Sequence, residues 1–440
     1  MAGMHQEDKP AGGVLEGLLR LHGCQPGEPL RIGGIDAREL AREHGTPTYV
    51  YDAGLLRSRY EAVETALGVE VLYAIKANPN LAVSAVLRAA GAGAEVASAG
   101  ELLVADRAGF APQRVQFAGP GKSLADLTLA LRQGIHSINL ESPSEYDQLA
   151  GLARLERLRP GVAIRVNPKE GVGGSRMRMS GGSRKFGVDE EAVAELITRI
   201  HSEDLVDLHG LHCYMGTQCF DAEAWLDSAR WLLAFAQEME SRTGVALPSL
   251  DFGGGFAVPC HEGDAEFDLQ LAGEGMRRLL ADEDRKAFVE LGRYLVAPAG
   301  VFLTQVLHIK QSQGRRFAIL DGGMHQHAAA AGQGSVLRRP YPIVAVRDPR
   351  AEDTRPQSLC GPLCTPADDF VSDLSLPTLA KGDIVAILAS GAYGLTFSNL
   401  RFLSHPSPAE VLVDASRSWL VRRRGRPEDA LDGQVLPPLD

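Results

Sequence analysis

Between residues 69 and 291, eight strand-like runs alternate with helical segments, and this rhythm restricts the possible folds more than any other feature. Strands that alternate with helices predict parallel construction, and eight is the number that closes a barrel. The sequence therefore predicts an α/β protein built on a (β/α)8 TIM-type barrel. An open doubly wound sheet is the alternative, but no G-x-G-x-x-G motif follows an early strand. The expected strands are Val69–Ala74, Ala94–Ala97, Val115–Ala118, Ser137–Leu140, Val162–Val166, Leu208–Tyr214, Leu247–Phe252 and Phe288–Leu291.

After Gly300 the pattern changes, because strand-like runs follow one another without long helices between them. We expect a barrel at 47–300, a C-terminal β-domain at 301–420, an N-terminal segment at 1–46 that packs with the β-domain, and a disordered tail at 421–440. Pro29–Ile32 is the strand that the N-terminal segment is predicted to add. The strands expected in the β-domain are Val301–Lys310, Arg316–Leu320, Ile343–Val346, Asp383–Leu388 and Glu410–Val413.

The composition excludes several classes of protein. The chain has 440 residues and a net charge of −11, which argues against a nucleic-acid-binding protein. No stretch is long and apolar enough to span a membrane, and the first residues lack the basic start and apolar run of a signal peptide. The six cysteines have no regular spacing that indicates a disulfide framework, so we expect a cytoplasmic location.

Lys76 stands at the end of an apolar run, Val71–Ala74, just before the turn signal Asn78-Pro79. A cation is costly in apolar surroundings unless it is paired or neutralised. Two interpretations are open from the spacing alone. The lysine either emerges from a strand end into solvent, or its amine is held at the mouth of the barrel, ready to form a Schiff base.

The triple glycine Gly253-Gly254-Gly255 follows the seventh strand. Glu290 lies near the end of the eighth strand, and Arg293 comes three residues later. Backbone N–H groups without side chains can approach an anion closely, and phosphate is the usual guest. Arginine is a second phosphate ligand, and a carboxylate can face a ring nitrogen. A lysine, a phosphate cradle and such a carboxylate are what pyridoxal 5′-phosphate requires. Gly-rich turns are also common without a ligand, so this pattern alone leaves the question open.

Seven stretches, spread across nearly the whole chain, carry a more specific signal: Tyr73–Asn78, Gly210–Gln218, Asp251–Phe256, Glu290–Arg293, Asp321–Met324, Cys360–Cys364 and Gly391–Gly394. In type and order they resemble the motifs of the fold-type III pyridoxal-phosphate decarboxylases, the alanine-racemase-like group that holds diaminopimelate and ornithine decarboxylases. The resemblance implies a barrel with a C-terminal β-domain, α-decarboxylation of an amino acid or an amino-acid conjugate, and pyridoxal 5′-phosphate as cofactor.

The resemblance also implies a role for each matching residue. Lys76 would carry the cofactor, and Glu290 would pair with the pyridine nitrogen. Cys364 would reach the site from the other subunit of a homodimer and return a proton to the product. The other residues implied to bind the cofactor are Tyr214, Thr217, Gly253, Gly254, Gly255, Gly292, Arg293 and Tyr393.

Two departures from the family pattern bear on the site. Tyr214 stands where the family usually has a histidine stacked on the cofactor ring. His212 either substitutes for that histidine or is a barrel-interior residue. Thr365 follows Cys364, where the diaminopimelate and ornithine enzymes carry an acid that reads the distal amine of the substrate. Threonine cannot supply that charge, so we do not expect free diaminopimelate, lysine or ornithine as the substrate. Together with Glu290–Val296 and Asp321–His327, this position resembles the branch that acts on conjugated substrates, such as carrier-bound glutamyl groups or citryl-diaminopropionate.

Further candidates complete the expected site. His212, Arg339, Tyr341 and Thr365 are the candidate substrate contacts. The basic loop Arg176–Lys185 either receives an acidic acyl-carrier protein or covers the substrate. His325 and His327 invite a metal interpretation, but two ligands are insufficient, and we expect no metal site. The alternatives to the main hypothesis are a diaminopimelate decarboxylase of lysine biosynthesis, an amino-acid racemase and a non-catalytic cofactor-binding protein.

Overall fold

Eight parallel strands close into a barrel in the computed structural model, which describes residues 13–25, 27–169, 177–178 (backbone only), 183–334, 339–346 and 353–438. The first strand pairs with the eighth and the fourth with the fifth, so the sheet has no free edge. Because helices and side chains cover both faces, most of these strands are buried along their length. This confirms the predicted barrel. Its strands, numbered one to eight below, are Glu70–Ala74, Gly93–Val96, Val115–Phe117, Ser137–Leu140, Gly161–Asn167, Asp207–His212, Ser249–Gly254 and Lys286–Leu291.

A helix follows or precedes each barrel strand, and polar residues at the strand ends cap these helices. Asn80, Ser98 and Ser123, for example, each accept backbone N–H groups of the first turn that have no partner within the helix. Among the described residues, no helix has the length and apolar character needed to cross a membrane. The helices around the barrel are Ala53–Leu67, Leu81–Ala90, Ala99–Ala108, Leu124–Gln133, Pro143–Glu156, Val193–Glu203, Ala222–Thr243 and Leu269–Leu279.

A second, mostly antiparallel sheet lies after the barrel, as predicted. Its longest strand, Gly300–Ser312, begins directly after the short helix Arg293–Val296, which follows the eighth barrel strand. The two parts of the chain are therefore joined next to the carboxyl end of the barrel. The other strands of this sheet are Thr48–Asp52, Arg315–Leu320, Ile343–Val346, Thr354–Cys360, Asp369–Pro377, Ile384–Ile387, Ala409–Asp414 and Arg417–Arg422.

The N-terminal contribution to this sheet differs from the prediction. Arg31–Ile32 pairs only with Ile35–Asp36, in a small hairpin, and two short helices, Val14–Leu21 and Ala37–His44, flank it. The strand that enters the second sheet is Thr48–Asp52, which pairs with Gly300–Ser312 and Ala409–Asp414. All five of its residues are buried. Because eight strands already close the barrel, Thr48–Asp52 has no place in it and is buried in the second sheet instead. The barrel segment thus begins near residue 53 rather than 47.

The C-terminal boundary also differs. Arg417–Arg422 forms a hairpin with Ala409–Asp414, and residues 427–431 form a 3₁₀ turn, where the sequence predicted a disordered tail from 421. Two arginines of the arginine-rich run have partners within the fold. Arg422 pairs with Glu410, and Arg424 donates to the Pro47 carbonyl oxygen at 2.6 Å. The sequence also missed the strands Thr354–Cys360 and Asp369–Pro377, because half of their side chains are polar or exposed.

Candidate active site

Charged and polar side chains gather at the carboxyl end of the barrel, around a cavity of about 1110 Å³. An adjoining niche shares part of this wall and adds Gly255 and Gly292. The structure thereby brings together most of the residues that the sequence predicted for the cofactor and the substrate. Those that line the cavity are Lys76, His212, Tyr214, Thr217, Glu290, Arg293, Arg339, Tyr341 and Tyr393.

Lys76 lies in a 3₁₀ turn directly after the first strand, and its side chain faces the cavity with 39% of its surface exposed. Its Nζ donates to Glu95 Oε2 at 2.8 Å. Burial lowers the pKa of this ammonium, but attraction to Glu95 and then to Glu290 outweighs burial, so the pKa stands above its usual range. The solvent-exposed alternative is therefore wrong: the amine is held at the barrel mouth and paired.

The triple glycine packs too tightly to accept side chains. Gly253 and Gly255 have φ values of +60° and +87°, in the left-handed region that favours glycine. A Cβ at Gly254 would collide with the Glu290 carbonyl oxygen, and one at Gly255 would collide with that of Gly216. Gly255 lines the niche, whereas Gly253 and Gly254 shape the turn behind it. The niche can therefore bring a ligand against bare backbone.

Arg293 and Tyr393 form the cationic side of this niche. The guanidinium carbon of Arg293 lies 4.6 Å from the centre of the Tyr393 ring. The buried Nε of Arg293 has no hydrogen-bond partner. Tyr393 is held by its backbone N–H, which donates to the Ala77 carbonyl oxygen at 2.8 Å, one residue after Lys76. The niche thus offers an unused cationic donor next to Gly255, which suits an anion such as phosphate.

Glu290 is buried beside His212, with Glu290 Oε2 3.5 Å from His212 Nε2. Burial raises the pKa of Glu290, but the attraction of His212 outweighs it and leaves the pKa at about 2. Burial lowers the pKa of His212, and the attraction of Glu290 in turn raises it above its ordinary value. The two groups therefore form an ion pair. His212 is a barrel-interior histidine, the second of the two possibilities that the sequence left open.

Tyr214 is the aromatic ring next to Lys76, whose Nζ lies 6.0 Å from the ring centre. The ring packs on bare backbone, since a Cβ at Gly253 would come within 2.9 Å of Tyr214 Cδ2. Burial raises the pKa of its hydroxyl to about 12, so this side chain stays neutral. The position fits a ring that stacks on a flat cofactor without contributing a charge.

Cys364 and Thr365 are not among the described residues that line the cavity of their own chain. Cys364 is exposed, and the Thr365 hydroxyl accepts the Ala367 N–H at 3.3 Å. Their loop is fixed by the buried Asp368, whose carboxylate accepts the N–H groups of Met324 and Leu363 at 2.6 and 2.7 Å. The structure therefore presents Cys364 outward on an ordered loop.

The two histidines of the His-x-His pattern have separate partners. His327 Nε2 lies 2.9 Å from Ser390 Oγ, and the His325 ring packs against His405 with 4.9 Å between ring centres. Burial lowers the pKa of His325 to about 4 and that of His327 to about 3, so both are neutral. They act as packing residues of the second sheet. Of the basic loop, Arg176 and residues 179–182 lie outside the described part of the chain.

Three residues of the cavity region were given no role from the sequence: Glu95, Arg165 and Asp251. Each is a charged residue inside an otherwise apolar strand, which is the signal that could have identified them. Arg165 donates to Glu141 Oε1 at 2.8 Å. Glu141 also accepts the N–H groups of Gly119 and Gly187, at 2.9 and 2.7 Å. One carboxylate thus ties three loops of the cavity rim together.

The barrel region matches the model of a known protein family. The family model described as "Pyridoxal-dependent decarboxylase, pyridoxal binding domain" matches residues 53–297. The chain belongs to this family. An L-glutamyl-[BtrI acyl-carrier protein] decarboxylase of Niallia circulans is 35% identical over 421 residues, covering 92% of this chain and 97% of the relative. A diaminopimelate decarboxylase of Methanothermobacter thermautotrophicus is 34% identical, covering 93% and 96%.

Solved structures of these decarboxylases have the same fold. Diaminopimelate decarboxylase from Helicobacter pylori, complexed with L-lysine, matches with a TM-score of 0.83 and 28% identity, over 90% of this chain and 98% of that one. The enzyme from M. jannaschii, also with L-lysine, matches with a TM-score of 0.84 and 26% identity, over 92% and 95%. This pyridoxal-dependent decarboxylase is therefore an enzyme that decarboxylates an amino acid, with pyridoxal 5′-phosphate as its cofactor.

The residues present fit that cofactor. Glu290 Oε1 is buried without a hydrogen-bond partner and can accept one from a protonated ring nitrogen. The unpartnered Arg293 Nε and the bare backbone of Gly255 suit the phosphate. The Lys76 amine lines the same niche and cavity and suits the aldehyde carbon.

Replacing Gly255 with alanine should weaken binding of pyridoxal 5′-phosphate at least about 10-fold, because the new Cβ must displace the Gly216 backbone beside the niche. The measurement is a fluorescence titration of the apoprotein with the cofactor. Gly121→Ala is the control, since Gly121 lines the cavity but has no atom within 4 Å of an added Cβ. Equal affinity in both variants would contradict the placement of the phosphate at Gly255.

Proposed function

We propose that this decarboxylase acts on an amino acid whose side chain is conjugated, of the carrier-bound glutamyl kind, rather than on a free basic amino acid. A free basic substrate carries a distal ammonium, and a buried site must pair such a charge with a carboxylate. Thr365 stands where diaminopimelate and ornithine decarboxylases carry an acid, and it cannot supply that charge. The relative from Niallia circulans, whose name gives a carrier-bound glutamyl substrate, supports the proposal.

The observation that carries the proposal is the pairing of charges in the cavity wall. Among the described lysine, arginine and glutamate residues that line it, all but Arg293 have an ionic partner. The far end of a substrate therefore meets small, neutral groups: Ala118, Gly119, Pro120, Gly121, Ala329 and Gly334. Such a wall suits a neutral ester, thioester or amide arm. The pairs are Lys76–Glu95 at 2.8 Å, Arg165–Glu141 at 2.8 Å, Arg339–Asp264 at 3.2 Å and Glu290–His212 at 3.5 Å.

Each side chain of the site takes a role in this proposal. Lys76 binds the cofactor through its amine, and Glu95 holds a proton at that nitrogen. Glu290 orients the ring through its nitrogen, and Tyr214 packs on the ring face. Arg339 and Tyr341 stand on the substrate side of the cavity, where the Arg339–Asp264 pair keeps the wall in place. The phosphate is held by Thr217, Gly255, Gly292, Arg293 and Tyr393, and Gly253 and Gly254 shape the turn that places Gly255.

The protein's own contribution to the reaction is binding, orientation and proton placement. When bound, pyridoxal 5′-phosphate supplies an electron sink for the pair left at Cα as CO₂ departs. The loops that Glu141 ties together hold the rim of the cavity in place around the substrate. A thiol then delivers a proton to Cα, and Cys364 is the residue proposed for this step.

Because Cys364 is exposed on an ordered loop outside its own cavity, we assign it to the cavity of a second copy of the chain. The functional unit is then a homodimer with two shared sites. A cytoplasmic location belongs to the same proposal, and it agrees with the six cysteines, none of which is in a disulfide bond.

The substrate proposal is tested by a panel that compares free diaminopimelate, free glutamate, a glutamyl carrier-protein thioester and citryl-diaminopropionate, with CO₂ release as the measurement. We expect kcat/KM for a conjugate to exceed that for free diaminopimelate by about 100-fold or more, because an unpaired buried ammonium costs several kcal/mol. Lys76→Ala is the control that should release no CO₂ from any substrate. Efficient turnover of free diaminopimelate would refute the proposal, and a change of chirality without CO₂ would indicate a racemase.

The shared site is tested by mixing two inactive variants, Lys76→Ala and Cys364→Ala, under conditions that exchange subunits. Mixed dimers contain one intact site, so activity should return to about a quarter of the wild-type value. Cys360→Ala, on the same segment, is the matched control and should stay active by itself. A mixture that stays inactive, while size-exclusion chromatography shows mixed dimers, would place Cys364 outside the partner's site.

A further inference from the structure

His212, Asp251 and Glu290 come from the sixth, seventh and eighth barrel strands, which are neighbours in the sheet. His212 and Asp251 are direct partners in the register of their two strands. Side chains at the same level of adjacent barrel strands point to the same side, here the barrel interior. One nitrogen or oxygen from each residue lies within 4.8 Å of the others, and all three side chains are buried. The three groups therefore form one cluster.

Several polar atoms of this cluster have no hydrogen-bond partner: both His212 ring nitrogens, Asp251 Oδ2 and Glu290 Oε1. Asp251 Oδ1 accepts the Gly253 N–H at 2.9 Å, and Glu290 Oε2 faces His212. Buried donors and acceptors are energetically costly to leave unpaired. An arrangement in which the imidazole lies between two carboxylates, and protons are shared among them, removes most of that cost.

The charges around the cluster decide where its protons lie. Burial, and then the charge of Glu290, raise the pKa of Asp251 to about 8, so Asp251 is neutral at pH 7. His212 is cationic and Glu290 anionic, as described above. The other charged groups that act on the cluster are Lys76, Glu95 and Arg165, and both Lys76 and Arg165 lower the pKa of Glu290. The cluster holds one negative and one positive charge and one neutral acid.

We infer that His212 is a positioning residue that holds Glu290 as an oriented anion beneath the cofactor's ring nitrogen, and that Asp251 completes the cluster as a neutral acid. This inference rests on the proposed contact between Glu290 and that nitrogen. The imidazolium keeps one carboxylate oxygen, Oε2, on the protein side, and leaves Oε1 for the ring. Asp251 also accepts the Gly253 N–H at the start of the triple glycine. The same cluster therefore supports both Glu290, which is proposed to face the ring nitrogen, and the glycine turn beside the phosphate.

The test measures the Kd of the apoprotein for pyridoxal 5′-phosphate, by fluorescence, in a double-mutant cycle of His212→Gln and Glu290→Gln. Glutamine keeps an N–H donor near Nε2 but cannot carry the charge. We expect H212Q to raise Kd at least about 10-fold in the wild-type background and less than about 2-fold in the E290Q background, because His212 acts through Glu290. Equal effects in both backgrounds would overturn the inference. If E290Q alone leaves Kd unchanged, it is the proposed contact between Glu290 and the ring that fails.

Asp251→Asn is the second variant, since asparagine imitates the neutral acid and keeps an acceptor for the Gly253 N–H. Its Kd at pH 7 should lie within about 3-fold of the wild-type value. As pH rises through about 8, Asp251 loses its proton in the wild type and adds a second negative charge beside Glu290. The holoenzyme absorbance should therefore change near that pH in the wild type and stay constant in D251N. A large loss of affinity in D251N at pH 7 would show that Asp251 is ionised and would contradict its assigned state.

Discussion

The pairing of buried charges at the carboxyl end of the barrel is the constraint on which the rest of the structure depends. Glu95, Glu290 and His212 are buried, and an isolated charge in such a place costs several kcal/mol. Lys76 lies next to them at the barrel mouth, with 39% of its side chain exposed. Each has an opposite charge within 3.5 Å, supplied from the end of another barrel strand. A closed parallel barrel makes this possible because the ends of its strands converge on one space. The polar atoms that stay unpaired mark where a ligand must contribute.

The second sheet takes part in holding this space. Asn78 Nδ2, in the turn that carries Lys76, donates to the Gly391 carbonyl oxygen at 2.9 Å, and Tyr393 N–H donates back to Ala77 at 2.8 Å. Tyr73 closes the same turn with a 2.6 Å hydrogen bond to the Asn78 carbonyl oxygen. The lysine is therefore placed by contacts from both parts of the chain. Because Cys364 belongs to the same sheet, a dimer that brings it to a second barrel would link catalysis to assembly.

Much of this architecture could be predicted from the sequence, and the reasons are local. The ends of the helices Leu81–Ala90, Ala99–Ala108 and Leu124–Gln133 carry signals that can be read from the sequence, since a capping Asn or Ser precedes each helix and a glycine follows it. The hairpin Arg417–Arg422 was missed because its register depends on two left-handed residues and on contacts far along the chain. Likewise, Asp251 was part of a recognised motif, but its proximity to His212 follows only from the strand register.

The central claim is that the Lys76 amine is the group that binds pyridoxal 5′-phosphate, and the most direct measurement is chemical. The holoenzyme is reduced with borohydride, digested and analysed by mass spectrometry, so that the cofactor stays attached to the amine that held it. The account predicts the added mass on the peptide that contains Lys76 and on no other lysine. Attachment at the buried Lys122, at any other lysine, or at none would contradict it.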